Sequence, residues 1–172
     1  MNASLLSVRP RLAALSAIAP LLILLGGAAH AESGVAIAAF DYSDTSGESG
    51  DQVAAHAARL KILSNTLSEE LQKQSLTIVP MSCGTSACSI EATGPENLLA
   101  AAKTTSAKYL VYGGVHKMST LIQWMKVDVL DVATNSLVNS QLLTFRGDTD
   151  EAYQRAGRFV AKAVVESSRE QP

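Results

Sequence analysis

The sequence is poor in the residues that build reactive sites. In 172 residues it has two cysteines, three histidines and one tryptophan, and aromatic residues make up 5% of the chain. A structural zinc site needs four ligands at characteristic spacings, and two cysteines in one loop do not supply them. No G-x-S-x-G elbow supports a serine nucleophile, and no glycine-rich phosphate loop is present. Positive charge is never clustered: lysines and arginines are scattered from Arg59 to Arg169, and the formal net charge is −2. Nucleic acids and anionic membrane surfaces both favour a basic footprint, so neither is an expected partner. No repeat of fixed period and no linker-like stretch divides the chain.

Long apolar runs are absent except at the start. Arg9 and Arg11 form a short positive region, and Leu12 to Leu25 is apolar apart from Ser16 and Pro20. Ala29-His30-Ala31 then places small residues at −3 and −1. This is the layout of a cleavable secretory signal over residues 1–31. The run falls short of the about 20 residues that a spanning helix needs. Cleavage after Ala31 leaves residues 32–172 as a single periplasmic domain with no membrane span. Removing two arginines and no acid from a chain of charge −2 leaves about −4. No cysteine follows the cleavage point to carry a lipid. The arginines are not adjacent, which disfavours the twin-arginine route.

Within the domain, periodicity predicts the elements. Gly34 to Phe40 reads as a buried strand, weakened by its alanines. Asp41 to Gln52 reads as a polar loop. A helix follows from about Ala54 to Lys73, with Leu60, Leu63, Leu67 and Leu71 on one face. Leu76 to Met81 is a short strand, and a second helix opens at Pro95. Tyr109 to Val115 is a strand in which Gly113-Gly114 suggests a bulge or a close backbone approach. Leu121 to Val132 alternates, with Met125, Val127 and Val129 inward and Trp124, Lys126 and Asp128 on the other face. Thr134-Asn135-Ser136 turns the chain, Asn135 being suited to a left-handed conformation, and Leu137 to Phe145 completes a hairpin. Asp148 with Glu151 resembles a capping box for a last helix carrying Tyr153, Ala156, Val160 and Val164 on one face. The expected fold is α/β: a single mixed sheet of about five strands with helices packed against it, ending in a hairpin and a C-terminal helix.

The segments Ala39-Phe40-Asp41, Ala107-Lys108-Tyr109 through Gly113, Asp131 to Thr134, and Arg146 to Glu151 resemble a family of small secreted bacterial proteins of unknown function, the DUF2380/DUF3280 group. In layout the chain is more distantly similar to the N-terminal domain of TolB and to the CsgG and LpoB group of envelope proteins. Where related domains often carry Thr-Gly at the hairpin turn, this chain has Thr134-Asn135. The resemblance implies a mixed sheet backed by helices in an envelope protein. It implies no activity, and fold alone does not fix function.

Cys83 and Cys88 sit in the tight loop SCGTSAC. In an oxidising compartment they are expected to form a structural disulfide. The alternative, a redox pair, ordinarily uses Cys-x-x-Cys at a helix start, which four intervening residues do not match. His56 and His116 are expected at the surface. Asp41, Asp44, Glu48 and Asp51 gather in the first loop. Their spacing does not fit an EF-hand, but they follow a strand end, where α/β binding sites collect. Arg146-Gly147-Asp148 spells an adhesion tripeptide but reads as a bend and a helix cap. Trp124 is either an exposed partner anchor or covered by a helix.

Two functions follow. The first is a non-enzymatic periplasmic module that contacts an envelope protein through the hairpin and its edge. Its candidate contacts are Asp41, Asp44, Asp51, Trp124 and Lys126, with no catalytic residue, metal or cofactor. The second is a small-molecule-binding protein or enzyme with a pocket near Asp41, Asp44 and the Cys83–Cys88 loop. The first predicts an exposed apolar patch or open edge, the second a deep pocket of perturbed titratable groups.

Overall fold

The computed structural model describes residues 33–170, so the expected leader lies outside the described residues. One six-stranded mixed sheet organises them. Its strands are β1 (Gly34–Ile37), β2 (Asp41–Asp44), β3 (Thr77–Ile78), β4 (Ala107–Lys117), β5 (Ile122–Asp131) and β6 (Ser136–Arg146). The helices are α1 (Val53–Lys73), α2 (Ile90–Thr93), α3 (Pro95–Lys103) and α4 (Asp150–Glu170). The strand order is β3-β1-β4-β5-β6, with β2 also on β4. β1 is parallel to both β3 and β4, and β2 is parallel to β4. β4, β5 and β6 form an antiparallel meander.

Residue alternation along β4 and β5 sorts side chains onto two faces. Val111, Val115, Met125, Val127 and Val129 are buried against Leu63, Leu67 and Leu71 of α1 and Tyr153, Ala156, Val160 and Val164 of α4. The leucine stripe of α1 and the Tyr153–Val164 stripe of α4 therefore face inward as their spacing predicts. On the opposite face a smaller cluster joins Leu98 and Ala102 of α3 to Ala36, Ala38, Leu110 and Val132, with Cys83 and Cys88 packed on it. Alanine at positions 36 and 38, which weakens the strand signal, is the small residue that lies fully buried under α3.

Three expectations need correction, and at Gly113-Gly114 one of two expected readings holds. The first strand stops at Ile37, and Asp41–Asp44 is a strand rather than the start of a loop. The break between them is fixed by main-chain bonds: Ala38 N donates to Val111 O at 2.8 Å, and Ala39 N turns to Cys88 O at 2.7 Å. The polar sequence DYSD hides a strand held by β4 rather than by an apolar pattern. β3 keeps only two of the six expected residues. No register shift occurs at Gly113-Gly114; the shifts fall at Gly34/Val35 and Val129/Leu130. Gly113 serves close approach instead, since a Cβ there would lie 2.1 Å from the Lys126 carbonyl oxygen. Finally, Thr149 caps α4, its hydroxyl accepting from Ala152 N at 3.3 Å, so Asp148 is free for another role. The hairpin turn stands as expected, with Asn135 at φ 58°.

Candidate functional site

Two adjacent residues at the end of β4 open onto the two faces. Lys117 pairs in register with Asp44 of β2 and points to the helix side, whereas His116 pairs with Ser43 and Trp124 and points to the other.

The Lys117 side chain is fully buried. A buried ammonium is tolerated only where opposite charges and hydrogen bonds replace its water. Its Nζ donates to Asp148 at 2.8 Å, to Gln52 at 3.0 Å and to Glu48, and lies 3.8 Å from Asp44. Asp148 is the hub of this cluster. Its other contacts are His56 Nε2 at 3.2 Å, Arg59 at 2.6 Å and Gln123 Nε2 at 3.3 Å. Gln123 in turn accepts from the buried Tyr153 hydroxyl at 2.6 Å, and Tyr42 stacks on His56 with ring centroids 4.3 Å apart. His56 is 5% exposed, so the expectation of two surface histidines fails for it. Its neighbours include Tyr42, stacked on its ring, and Asp148, bonded to its Nε2.

The electrostatics agree with a closed ion cluster. Burial pushes the Lys117 ammonium down, but its hydrogen bonds to Asp148 and Glu48 outweigh that and hold the pKa above the ordinary lysine value. Burial pushes Asp148 up, and Lys117, His56 and Arg59 bring it below the ordinary carboxylate value. Glu48 is lowered by its hydrogen bonds from Lys117 and Gln52, and Asp44 by those from Ser46. Burial pushes the Tyr42 and Tyr153 phenols well up. A lysine held charged is no nucleophile, and carboxylates held ionised are no general acids. The arrangement is a clamp: it ties the 44–52 loop and the start of α4 to the end of the sheet. Beside it a cavity of about 430 Å³ is lined by Tyr42, Asp44, Glu48, Asp51, Gln52 and His56. Asp51 itself is exposed, and its carboxylate accepts from Val53 N at 3.0 Å at the mouth of α1.

The other candidates lie on the far side of the sheet. Trp124 is 43% exposed, which decides between the two possibilities left by the sequence: no helix among the described residues covers it. Across β4, β5 and β6 its face continues through His116, Lys126 and Leu142, the last 68% exposed. These residues, with Asp41, Ser43 and Glu91, line an open depression of about 360 Å³. Asp41 Oδ2 accepts from Glu91 N at 3.1 Å, and His116 Nε2 meets Thr45 Oγ1 at 2.7 Å. Lys126 is bound to Asp128 at 2.9 Å and to Ser140. The structure thus divides the candidate set, with Asp44 and Asp51 on the helix side and Asp41, Trp124 and Lys126 on the open side.

Cys83 and Cys88 lie at disulfide distance, their Cα atoms 5.3 Å apart. They border neither cavity, but the Cys88 carbonyl fixes Ala39 two residues before Asp41. Among the described residues no group of three or more His, Cys, Asp or Glu is disposed to hold a metal, and no helix is long and apolar enough to cross a membrane. Sequence reasoning missed Lys117 as a site residue and took Asp148 for a cap. The only signal for Lys117 was its place two residues past the apolar stretch Tyr109 to Val115.

A family model described as protein of unknown function (DUF2380) matches residues 33–165. The chain belongs to this family. No protein of curated function matches it. Among solved structures, the DUF2380 chain is similar to a hypothetical protein from Chlamydia trachomatis, with TM-score 0.53 and 11% identity over 81% of this chain and 99% of that one. It is also similar to TolB from Acinetobacter baumannii, with TM-score 0.51 and 16% identity over 81% of this chain. The match spans only 29% of the TolB chain. The C-terminal domain of LpoB from Salmonella enterica matches at TM-score 0.36 and 11% identity, over 66% of this chain and 82% of that one. The first two likenesses establish a shared fold for the DUF2380 member.

Proposed function

We propose that the protein is a non-enzymatic interaction module of the bacterial cell envelope, exported to the periplasm, whose partner docks on the open sheet face. The observation that carries this reading is Trp124, 43% exposed on a strand face that α3 stops short of covering, with Leu142 exposed beside it. A large aromatic held on a rigid strand costs little to order on binding and is the kind of side chain that dominates interface energies. The rim supplies polar groups of both signs, Asp41, Glu91 and Lys126. The membership in a family of unknown function and the shared fold with TolB are compatible with such a role.

The alternative, a small-molecule site beside Tyr42 and His56, has less support. Most polar groups there already satisfy one another through Lys117 and Asp148. Among the described residues the buried Tyr42 hydroxyl is the one lining group left without a hydrogen-bond partner, so little remains to orient a ligand. The test is to place a photo-crosslinking residue at position 124, and separately at the exposed Lys162 of α4, in cells producing the full chain. The expected result is one discrete adduct from position 124 and none from 162. An equal smear from both positions, or no adduct from position 124, overturns the reading.

A further inference from the structure

β6 is an edge strand on the described sheet, and it is not defended as edges ordinarily are. Proteins blunt exposed edges by keeping them short or by placing charges, proline or bulges along them. The other edge strands obey this: β2 has four residues and β3 two. β6 has eleven, with no proline and no charge from Ser136 to Phe145. Its irregularity lies near one end, where the pairs Val129–Asn139 and Leu130–Leu137 leave Val138 as an extra residue. From Asn139 to Arg146 the strand is regular and uninterrupted. It also carries an apolar residue on each face among its uncharged polar ones. Leu142 stands exposed on the open side, while Leu143 and Phe145 are only partly buried at the margin of the helix-side core.

We propose that the partner of this edge is a second copy of the same chain, with the two β6 strands pairing antiparallel about a two-fold axis through Leu142. A two-fold axis perpendicular to the sheet keeps the helices of both copies on one side, so open-face residues oppose open-face residues. Centred on Leu142, that axis sets Leu142 against its own copy and Ser140 against Thr144. On the helix side it sets Gln141 against Leu143 and Asn139 against Phe145. Leucine and hydroxyl pairs of this kind stabilise antiparallel strands. No charge opposes a like charge, because the one charged residue of β6, Arg146, falls opposite Val138 at either end of the paired stretch. An isologous contact requires such self-compatibility, and an edge with no charge pattern has nothing with which to select a foreign strand. The result is one continuous sheet in which the two Trp124 faces lie on the same side. The pairing shares Leu142 with the margin of the proposed docking face but leaves Trp124 on it, and the mass of the chain reads it without reference to that docking.

Analytical ultracentrifugation of the full chain gives the first readout: the expected mass is twice that of one chain. Leu142→Cys places two sulfurs across the axis, within the Cα separation that a disulfide spans. It is expected to give a dimer on non-reducing electrophoresis, whereas Val138→Cys is expected to give none. Ser140→Lys/Thr144→Lys puts lysine against lysine twice and is expected to halve the mass, with circular dichroism confirming the fold. Ser140→Lys/Thr144→Glu puts opposite charges across the same pairs and is expected to restore the dimer. A wild-type chain that sediments as a monomer overturns the proposal. So does a dimer that Leu142→Cys fails to trap, or one that survives the double lysine substitution.

Discussion

His116 and Lys117 are neighbours in the chain and occupy opposite worlds. Lys117 is sealed on the helix side, where its one charge meets the carboxylates of Asp44, Glu48 and Asp148. His116 stands over a shallow depression with Trp124 beside it and no described helix above. One side of the sheet has its polar groups consumed by the fold, and the other has surface left over. That difference teaches where to look for function: on the proposed reading the tight ion cluster serves stability and the plainer open face serves binding.

Substitutions on the two sides therefore separate stability from binding. The largest effect is expected from Lys117→Met, which leaves Asp148 and its neighbours without their central cation. Removing one partner of a buried pair costs about 3 kcal/mol or more, read as a lowered midpoint in denaturant; a variant as stable as wild type would break the comparison. The same cluster sets the pH profile. Asp148, Glu48 and Asp44 have lowered pKa values, so their contribution is present above the unfolded carboxylate pKa of about 4 and disappears as pH falls through the folded values below it. Lys117 is raised, so its contribution holds below about 10.4 and disappears as pH climbs through the higher folded value. Lys117→Met should lose the alkaline arm and flatten the acid arm in thermal melts.

Next in size is the cysteine pair. Cys83→Ser/Cys88→Ser opens a very short loop and is expected to cost about 2 kcal/mol in the chain-entropy view. The loosening should appear first at Ala39, whose amide is held by the Cys88 carbonyl, as faster hydrogen exchange there than in β5. Thr149→Ala removes the α4 cap and is expected to cost about 1 kcal/mol by chemical denaturation. The smallest stability effect belongs to Trp124→Ala, within about 0.5 kcal/mol of wild type. In binding the order should reverse: Trp124→Ala abolishes capture of the partner, while Thr149→Ala leaves it intact.

The hairpin was legible because Met125, Val127 and Val129 alternate with Trp124, Lys126 and Asp128 along a strand with one buried face. The helices α1 and α4 were legible from their apolar stripes, and the cysteine pair from its tight loop. β2 was not, because Asp41, Tyr42, Ser43 and Asp44 form a strand only by hydrogen bonding to Gly114 through Lys117 of β4, and a tertiary partner leaves no local period. The ion cluster was hidden for the same reason. Lys117 meets Asp148 across 31 residues and Glu48 across 69, and Asp148 taken alone has the look of a helix cap. Trp124 could be assigned to a face but not to solvent, since its exposure depends on where α3 ends.

The interruption between β1 and β2 also has a bearing on the order in which the molecule assembles. The meander from β4 to β6 joins near neighbours in sequence, and such contacts close quickly. Ile37 must instead find Val111, and Tyr42 must find Val115, and pairings of such long separation slow folding. The first strands to leave the ribosome are thus expected to be the last to dock. Because β2 carries Asp41 for the open face and Asp44 for the ion cluster, both sides of the sheet are completed in that same late event. Pulse-labelled exchange should then show the amides of β2 gaining protection together with α1 and after the hairpin.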